Sequence, residues 1–209
     1  MARTRSENYD GIHAGILAAA TTLFARQGYM RTSISELADA CQLSRGALYH
    51  YFESKEAILF TILDVHVRRM IADVERARAQ HERTVDQFRA VIRAIVALNA
   101  RSSDEQRLIL NDLSFLEPED QQTIKDLERR LVDTISELLA RLDEEGKIVK
   151  RTKKVYSMIL FGILNFSHTW YDPKGGVDPQ EFADRIVDLY LHGFLPPLQR
   201  PENAVKRRA

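Results

Sequence analysis

Between residues 32 and 55 the chain gathers hydroxyls, a guanidinium, an imidazole and an ammonium at short intervals: Thr32 and Ser33, Ser44 and Arg45, Tyr49 and His50, then Lys55. These groups donate hydrogen bonds well and are poorly placed for covalent chemistry. Hydroxyls, backbone N–H groups and an ammonium at helix starts clamp phosphate oxygens. An arginine in the first turn of a helix can pair with base edges in a major groove. Gly46 and Ala47 stand beside it, small enough for a partner to come close. The expected chemistry is recognition of double-stranded DNA by Thr32, Ser33, Ser44, Arg45, Gly46, Ala47, Tyr49, His50 and Lys55.

Catalytic constellations are missing. There is no Gly-rich phosphate loop, no Gly-x-Ser-x-Gly elbow and no His-Glu-x-x-His. The histidines at 13, 50, 66, 81, 168 and 192 are scattered, with no two at metal-ligand spacing. The single cysteine, Cys41, shares a helical face with Ile34, Leu37 and Ala38, which makes a nucleophile improbable and a disulfide within the chain impossible. The expectation is no enzyme, no metal and no cofactor. Two rivals stand beside the DNA reading: a helical enzyme that binds thioesters or lipids, and an interaction module that never touches DNA.

The elements that must position these groups are helical almost throughout. Strand-type alternation is absent, and glycine and proline are sparse. A first helix is expected from about Glu7 to Gln27, with Ile12, Ile16, Ala20, Leu23 and Phe24 as one stripe and Gly28 at its end. Ser33 and Glu36 have capping-box spacing at the start of a second. A break at Gln42-Leu43 leads to a third, capped by Ser44 and running to about Tyr51, with Leu48 and Phe52 on its inner side. Two short helices joined by a turn of about three residues have helix-turn-helix spacing. Ser54 caps a longer helix reaching about Gln80. Further helices are expected over 84–101, 104–115, 118–145, 153–171 and 179–194, with Gly146 closing the long one and Asp172-Pro173-Lys174-Gly175-Gly176 as a turn. The fold class is all-α. It divides into a head (1–53), a helical body (54–195) and a frayed tail (196–209) that contains Pro196, Pro197 and Pro201 and ends in Lys206-Arg207-Arg208.

Over residues 10–60 the chain resembles the TetR family of bacterial regulators. The resemblance rests on Phe24-x-x-x-Gly28, Thr32-Ser33-Ile34, Leu37-Ala38-x-Ala40, Leu43-Ser44-x-Gly46-x-Leu48-Tyr49-x-Tyr51-Phe52 and Ser54-Lys55-Glu56-x-Ile58-Leu59. One departure stands out. The family usually has glycine in the turn where Gln42 stands, so Gln42 must accept a left-handed backbone or shift the turn. The resemblance implies a regulator, by expectation a repressor, that binds a palindromic operator as a homodimer and answers to a small molecule.

The body offers its own hints. Residues 153–171 are apolar on nearly every side (Val155, Tyr156, Met158, Ile159, Leu160, Phe161, Ile163, Leu164, Phe166), so this helix is expected to be buried all round. Part of that cover would come from a second subunit, with Gly162 permitting close approach. Phe182, Ile186, Tyr190 and Phe194 form a ladder on the last helix. Polar residues among greasy ones suggest an effector pocket: Arg93, Asn111, Phe161, Asn165, His168, Thr169 and Trp170, with Asn99, Ser167 and Tyr171 nearby. The run Phe161-Gly162-x-x-Asn165-x-x-His168-Thr169-Trp170-Tyr171 is similar to a subgroup that senses acyl-CoA thioesters. That likeness implies phosphate contacts from Arg151, Lys153 and Lys154.

Charge adds little. The chain has 30 basic and 30 acidic residues. Residues 1–55 carry Arg3, Arg5, Arg26, Arg31, Arg45 and Lys55 against Glu7, Asp10, Glu36, Asp39 and Glu53, a net +1. No apolar run is long enough to span a bilayer, and the polar first residues do not look like a signal peptide, so a cytoplasmic protein is expected.

Overall fold

The computed structural model describes residues 2–143 and 153–193, and the side chains from residue 9 onward except that of Lys153. Gly146, Arg151, Phe194 and the tail from 196 therefore lie outside the described residues. Those residues are all-helical: α1 (Ala2–Gln27), α2 (Ile34–Ala40), α3 (Arg45–Tyr51), α4 (Lys55–Ala79), α5 (Thr84–Arg101), α6 (Ser103–Asn111), α7 (Pro118–Leu142), α8 (Lys153–Phe166) and α9 (Pro179–His192).

The caps expected for the head are present. Ser33 Oγ accepts from the Glu36 N–H while the Glu36 side chain accepts from the Ser33 N–H, a complete capping box. Ser44 Oγ accepts from the Ala47 N–H, and Ser54 Oγ from the Ala57 N–H. Gln42 takes φ 56°, the one non-glycine residue with positive φ among the described residues. Leu43 N–H then reaches Ala38 O at 2.9 Å and Gln42 N–H reaches Asp39 O at 3.0 Å. That pair of bonds is a Schellman closure of α2, so the left-handed strain at Gln42 is held by two satisfied carbonyls.

Two helices end sooner than their apolar pattern suggests. The expected 104–115 helix stops at Asn111 and tightens into a 3₁₀ turn over Leu113–Phe115. The chain must then extend through Leu116 and Glu117 to enter Pro118, because the residue before a proline is disfavoured in the α region. The expected 153–171 helix stops at Phe166. Ser167 Oγ donates to Leu164 O, His168 Nδ1 meets Asn165 O and Thr169 Oγ1 donates to Phe166 O, at 2.7, 2.6 and 2.8 Å. Three successive side chains thus hydrogen-bond to carbonyls three residues back, and the segment turns 3₁₀.

Helix α4 is the spine. It packs against α1 in the head and against α5, α6 and α7 in the body. Its buried stripe runs Ile58, Leu59, Ile62, Leu63, His66, Val67, Met70, Ile71, Val74, with one histidine in the middle of the apolar face. Helix α5 packs on α9, clamped by Arg93, whose Nε and Nη2 donate to the two carboxylate oxygens of Asp184 at 2.8 and 2.6 Å. That pairing holds the Asp184 carboxyl below its ordinary range. Helix α8 is not buried on all sides. Val155, Met158, Ile159 and Phe166 are each at least half exposed.

Candidate nucleic-acid interface and effector cavity

The reading surface is built from α2, its turn and α3. Leu37, Ala38 and Leu48 are buried beneath it with Phe52. Anchoring Leu48 inward turns Ser44, Arg45, Gly46, Tyr49 and His50 outward, all exposed, with Ala47 half-buried beside them. Beyond its chain neighbours and its own helix backbone, a Cβ added at Gly46 would meet nothing among the described residues nearer than Ser44 Oγ at 4.0 Å. Internal packing therefore does not require a glycine there. Tyr51 is half-buried and stacks on Tyr9, with ring centroids 4.7 Å apart.

Three expected DNA contacts are engaged inside the protein instead. Thr32 is 1% exposed. Its hydroxyl donates to Gly28 O at 3.0 Å and accepts from Gln27 Nε2 at 3.2 Å. Ser33 gives both its N–H and its hydroxyl to the Glu36 carboxylate, each at 2.7 Å. Lys55 Nζ donates to Tyr29 O and Thr32 O, both at 3.1 Å, and sits 4.3 Å above the Tyr29 ring. These residues lock the turn between α1 and α2 onto the start of α4. Spacing placed them near the reader, but it could not show that neighbouring carbonyls engage Thr32 and Lys55 and that the Glu36 carboxylate engages Ser33.

Tyr29 is the joint between head and body. Its ring stacks on Phe115, from the 3₁₀ turn after α6, at 5.3 Å, and meets Phe24 edge-on at 5.1 Å. Its hydroxyl donates to Glu56 Oε1 at 2.9 Å. Burial and the nearby Glu56 carboxylate push the phenol well above its ordinary pKa, so it stays a donor.

The body holds a cavity of about 170 Å³ lined from α4, α6, α7 and α8 by His66, Val67, Met70, Gln106, Ile109, Glu128, Leu131, Val132, Met158, Phe161 and Asn165. A polar chain crosses its wall. His66 Nε2 lies 3.3 Å from Gln106 Oε1, and Gln106 Nε2 donates to Asn165 Oδ1 at 3.2 Å. An amide oxygen only accepts, so Nε2 of His66 carries the proton. Burial lowers the His66 pKa and keeps the ring neutral. Burial raises the Glu128 pKa.

Of the expected pocket residues, Phe161 and Asn165 line this cavity. The others do not. Arg93 is engaged by Asp184 on the α5–α9 face. Asn111 is exposed and donates to Arg107 O. Thr169 is exposed, and His168 is tied to Asn165 O. Trp170 is 62% exposed and packs edge-on against Tyr171 and Phe182. For His168, Thr169 and Trp170 the cause is the early end of α8, which takes the residues after Phe166 off the helical face. Lys154 is exposed. Asn99 is buried on α5, away from the cavity, with Oδ1 unpartnered among the described residues. Sequence reasoning missed His66, Gln106 and Glu128. A signal existed for His66 alone, a titratable residue four positions after Ile62 in an unbroken apolar stripe.

No group of histidine, cysteine or carboxylate residues suited to a metal occurs among the described residues, and none of their helices is long and apolar enough to cross a membrane. A helix-turn-helix head on a helical body with an internal cavity defines a DNA-binding, ligand-responsive class of regulator. The family model described as "Bacterial regulatory proteins, tetR family" matches residues 16–62, and "Tetracyclin repressor-like, C-terminal domain" matches 81–194. The chain belongs to the TetR family of transcriptional regulators.

Among its relatives is the HTH-type transcriptional activator FasR of Mycolicibacterium smegmatis, 26% identical over 179 residues, covering 86% of this chain and 81% of FasR. A TetR-family regulator from Bordetella parapertussis has a crystal structure 31% identical in sequence, with TM-score 0.84, covering 90% of this chain and 98% of that one. AibR, crystallised with isovaleryl coenzyme A and operator DNA, is 26% identical with TM-score 0.76, covering 85% of this chain and 97% of that one.

Proposed function

We propose that this protein is a cytoplasmic, dimeric repressor that releases a palindromic operator when a small, mostly apolar effector enters the α4–α6–α7–α8 cavity. Residues 1–53 serve as the reading head, 54–195 as the sensing and dimerising body and 196–209 as an appended tail. The observation that carries the reading is the outward set Ser44, Arg45, Gly46, Tyr49 and His50 on a helix anchored by a fully buried Leu48. Arg45 would read a base edge, Tyr49 and His50 would hold phosphates, and Gly46 with Ala47 would let the backbone approach.

Dimerisation is supported by the uncovered face of α8. Val155, Ile159, Gly162 and Phe166 fall at helical spacing on one exposed stripe, continued by the exposed Leu189 on α9. Beyond its chain neighbours and its own helix backbone, none of the described residues lies within 4 Å of a Cβ placed at Gly162. A second copy would cover this face and set two heads about 34–36 Å apart, one turn of duplex. Coupling would run through α4 and α6. Each lines the cavity, through His66 and Gln106, and each reaches the head, α4 at Lys55 and α6 through Phe115 on Tyr29.

The acyl part of a coenzyme A thioester is one effector that suits the cavity, and AibR supplies the precedent. A void of about 150 Å³ accommodates a benzene ring, so about 170 Å³ would take a short acyl group and leave the nucleotide outside.

The test is fluorescence anisotropy with DNA from upstream of the protein's own gene. Arg45→Ala and Tyr49→Ala should each weaken binding by about 1–3 kcal/mol with unchanged melting temperature. Full affinity in the double variant overturns the reading. By linkage, an effector that weakens operator binding must itself bind more weakly when operator is present, by the same factor.

A further inference from the structure

The cavity's polar groups are not alike. His66, Gln106 and Asn165 bond to one another across the wall. Glu128 does not join them, and its carboxylate has no hydrogen bond or ion pair among the described residues. It stands on the flank of the α7 stripe, four residues after the buried Ile124, and faces the void that the polar chain shares with apolar side chains such as Val67, Met70, Leu131 and Met158. Lys125, three positions earlier on the helix, gives its ammonium hydrogen bond to Gln121 and acts on Glu128 only through its charge.

We propose that Glu128 determines the specificity of this cavity, and that the buried end of the effector is a compact apolar body bearing an O–H or N–H donor directed at that carboxylate. The proposal rests on the cavity being the effector site. Its logic is desolvation. A ligand that fills the void strips the remaining water from Glu128. A hydrocarbon returns nothing for that loss, and a lone carbonyl presents only lone pairs to an acceptor. A donor replaces the water with a charge-assisted hydrogen bond. Among acyl or aryl frames of one size, one that bears a hydroxyl or amine is therefore selected over the plain hydrocarbon chain.

The experiment measures binding of three matched probes to the full chain by calorimetry and protein NMR: 4-methylphenol, 4-methylbenzylamine and 1,4-dimethylbenzene. At least one donor probe should bind tenfold or more tightly than the hydrocarbon. Tighter phenol identifies a neutral donor, and tighter amine a cationic one. In Glu128→Leu the preference should vanish or reverse, with the hydrocarbon binding better than in the parent. Glu128→Gln, nearly isosteric, should keep the phenol preference and lose any advantage of the amine. Equal binding of all three probes by the parent, or an unchanged ratio in Glu128→Leu, overturns the proposal. A different result, in which no probe shifts resonances of cavity residues in the parent or in Glu128→Leu, removes the cavity as effector site and the proposal with it.

Discussion

The reading helix and the cavity wall solve opposite problems. In α3 the polar groups face out and a single apolar anchor, Leu48, faces in, so water or a ligand can satisfy each donor. In the cavity wall the polar groups face in, set within apolar stripes of α4, α6 and α8, and must satisfy each other. The head is thus a fixed surface whose specificity lies in what it exposes. The cavity is a partly satisfied network whose specificity lies in what it leaves unpaired. A ligand-responsive regulator needs both: a rigid reader, and a sensor whose energy changes when something enters.

The comparison breaks most readily at Leu48. Leu48→Ala removes a fully buried side chain and should cost about 2–5 kcal/mol in chemical denaturation. Because Arg45 and Tyr49 owe their direction to this anchor, operator binding should fall with it. Loss of stability with operator affinity intact would show that the outward face is not held by packing.

The two regions also differ in how far sequence reveals them. The head is written in local chemistry. Ser33 with Glu36, Ser44 with Ala47 and Ser54 with Ala57 are contacts three residues long, and each was legible as a cap. Gln42 was legible as a strained position for the same reason. The cavity is written in contacts between distant residues. His66 meets Gln106 across 40 positions, and Gln106 meets Asn165 across 59. No spacing rule links such residues. Reading the pocket from the composition of one helix also carried the site past Phe166, where Ser167, His168 and Thr169 had already taken their own carbonyls. Lys55 shows the converse error within the head. Its position was legible, but its partners, Tyr29 O and Thr32 O, were supplied by the fold.

A second test concerns the cavity side. His66 is held neutral by burial, so its pKa in the folded protein lies below its ordinary value of about 6.5. The unfolded chain then binds a proton that the folded chain resists. Stability from this group is fully present above about pH 6.5 and is lost as pH falls toward the lowered folded value. Gln106 and Glu105 favour the charged ring, while Arg69 and desolvation oppose it, with desolvation largest. Glu128 lines the same cavity. The melting temperature should therefore decline below pH 6.5 more steeply in the parent than in His66→Gln, which cannot titrate. Parallel curves would mean that the ring is hydrated and that the wall is not the closed network described. Effector binding measured across the same pH range would sharpen the contrast, since the reading face has no comparably buried group.

The smallest change divides the reading surface from its support. A glycine inside a helix costs roughly 0.5–1 kcal/mol relative to alanine, because the unfolded chain has more freedom to lose. At Gly46 no packing among the described residues justifies that cost, since beyond the helix's own backbone and the chain neighbours an added Cβ meets only Ser44 Oγ, at 4.0 Å. Gly46→Ala should therefore raise the melting temperature and at the same time weaken operator binding, as the methyl enters the gap between helix and DNA. Opposite signs in the two measurements would separate a residue kept for its partner from one kept for the fold. A stability gain with unchanged operator affinity would mean that the backbone at residue 46 does not approach the duplex. The weight of recognition would then pass to the ends of the helix, Ser44 and Arg45 on one side and Tyr49 and His50 on the other.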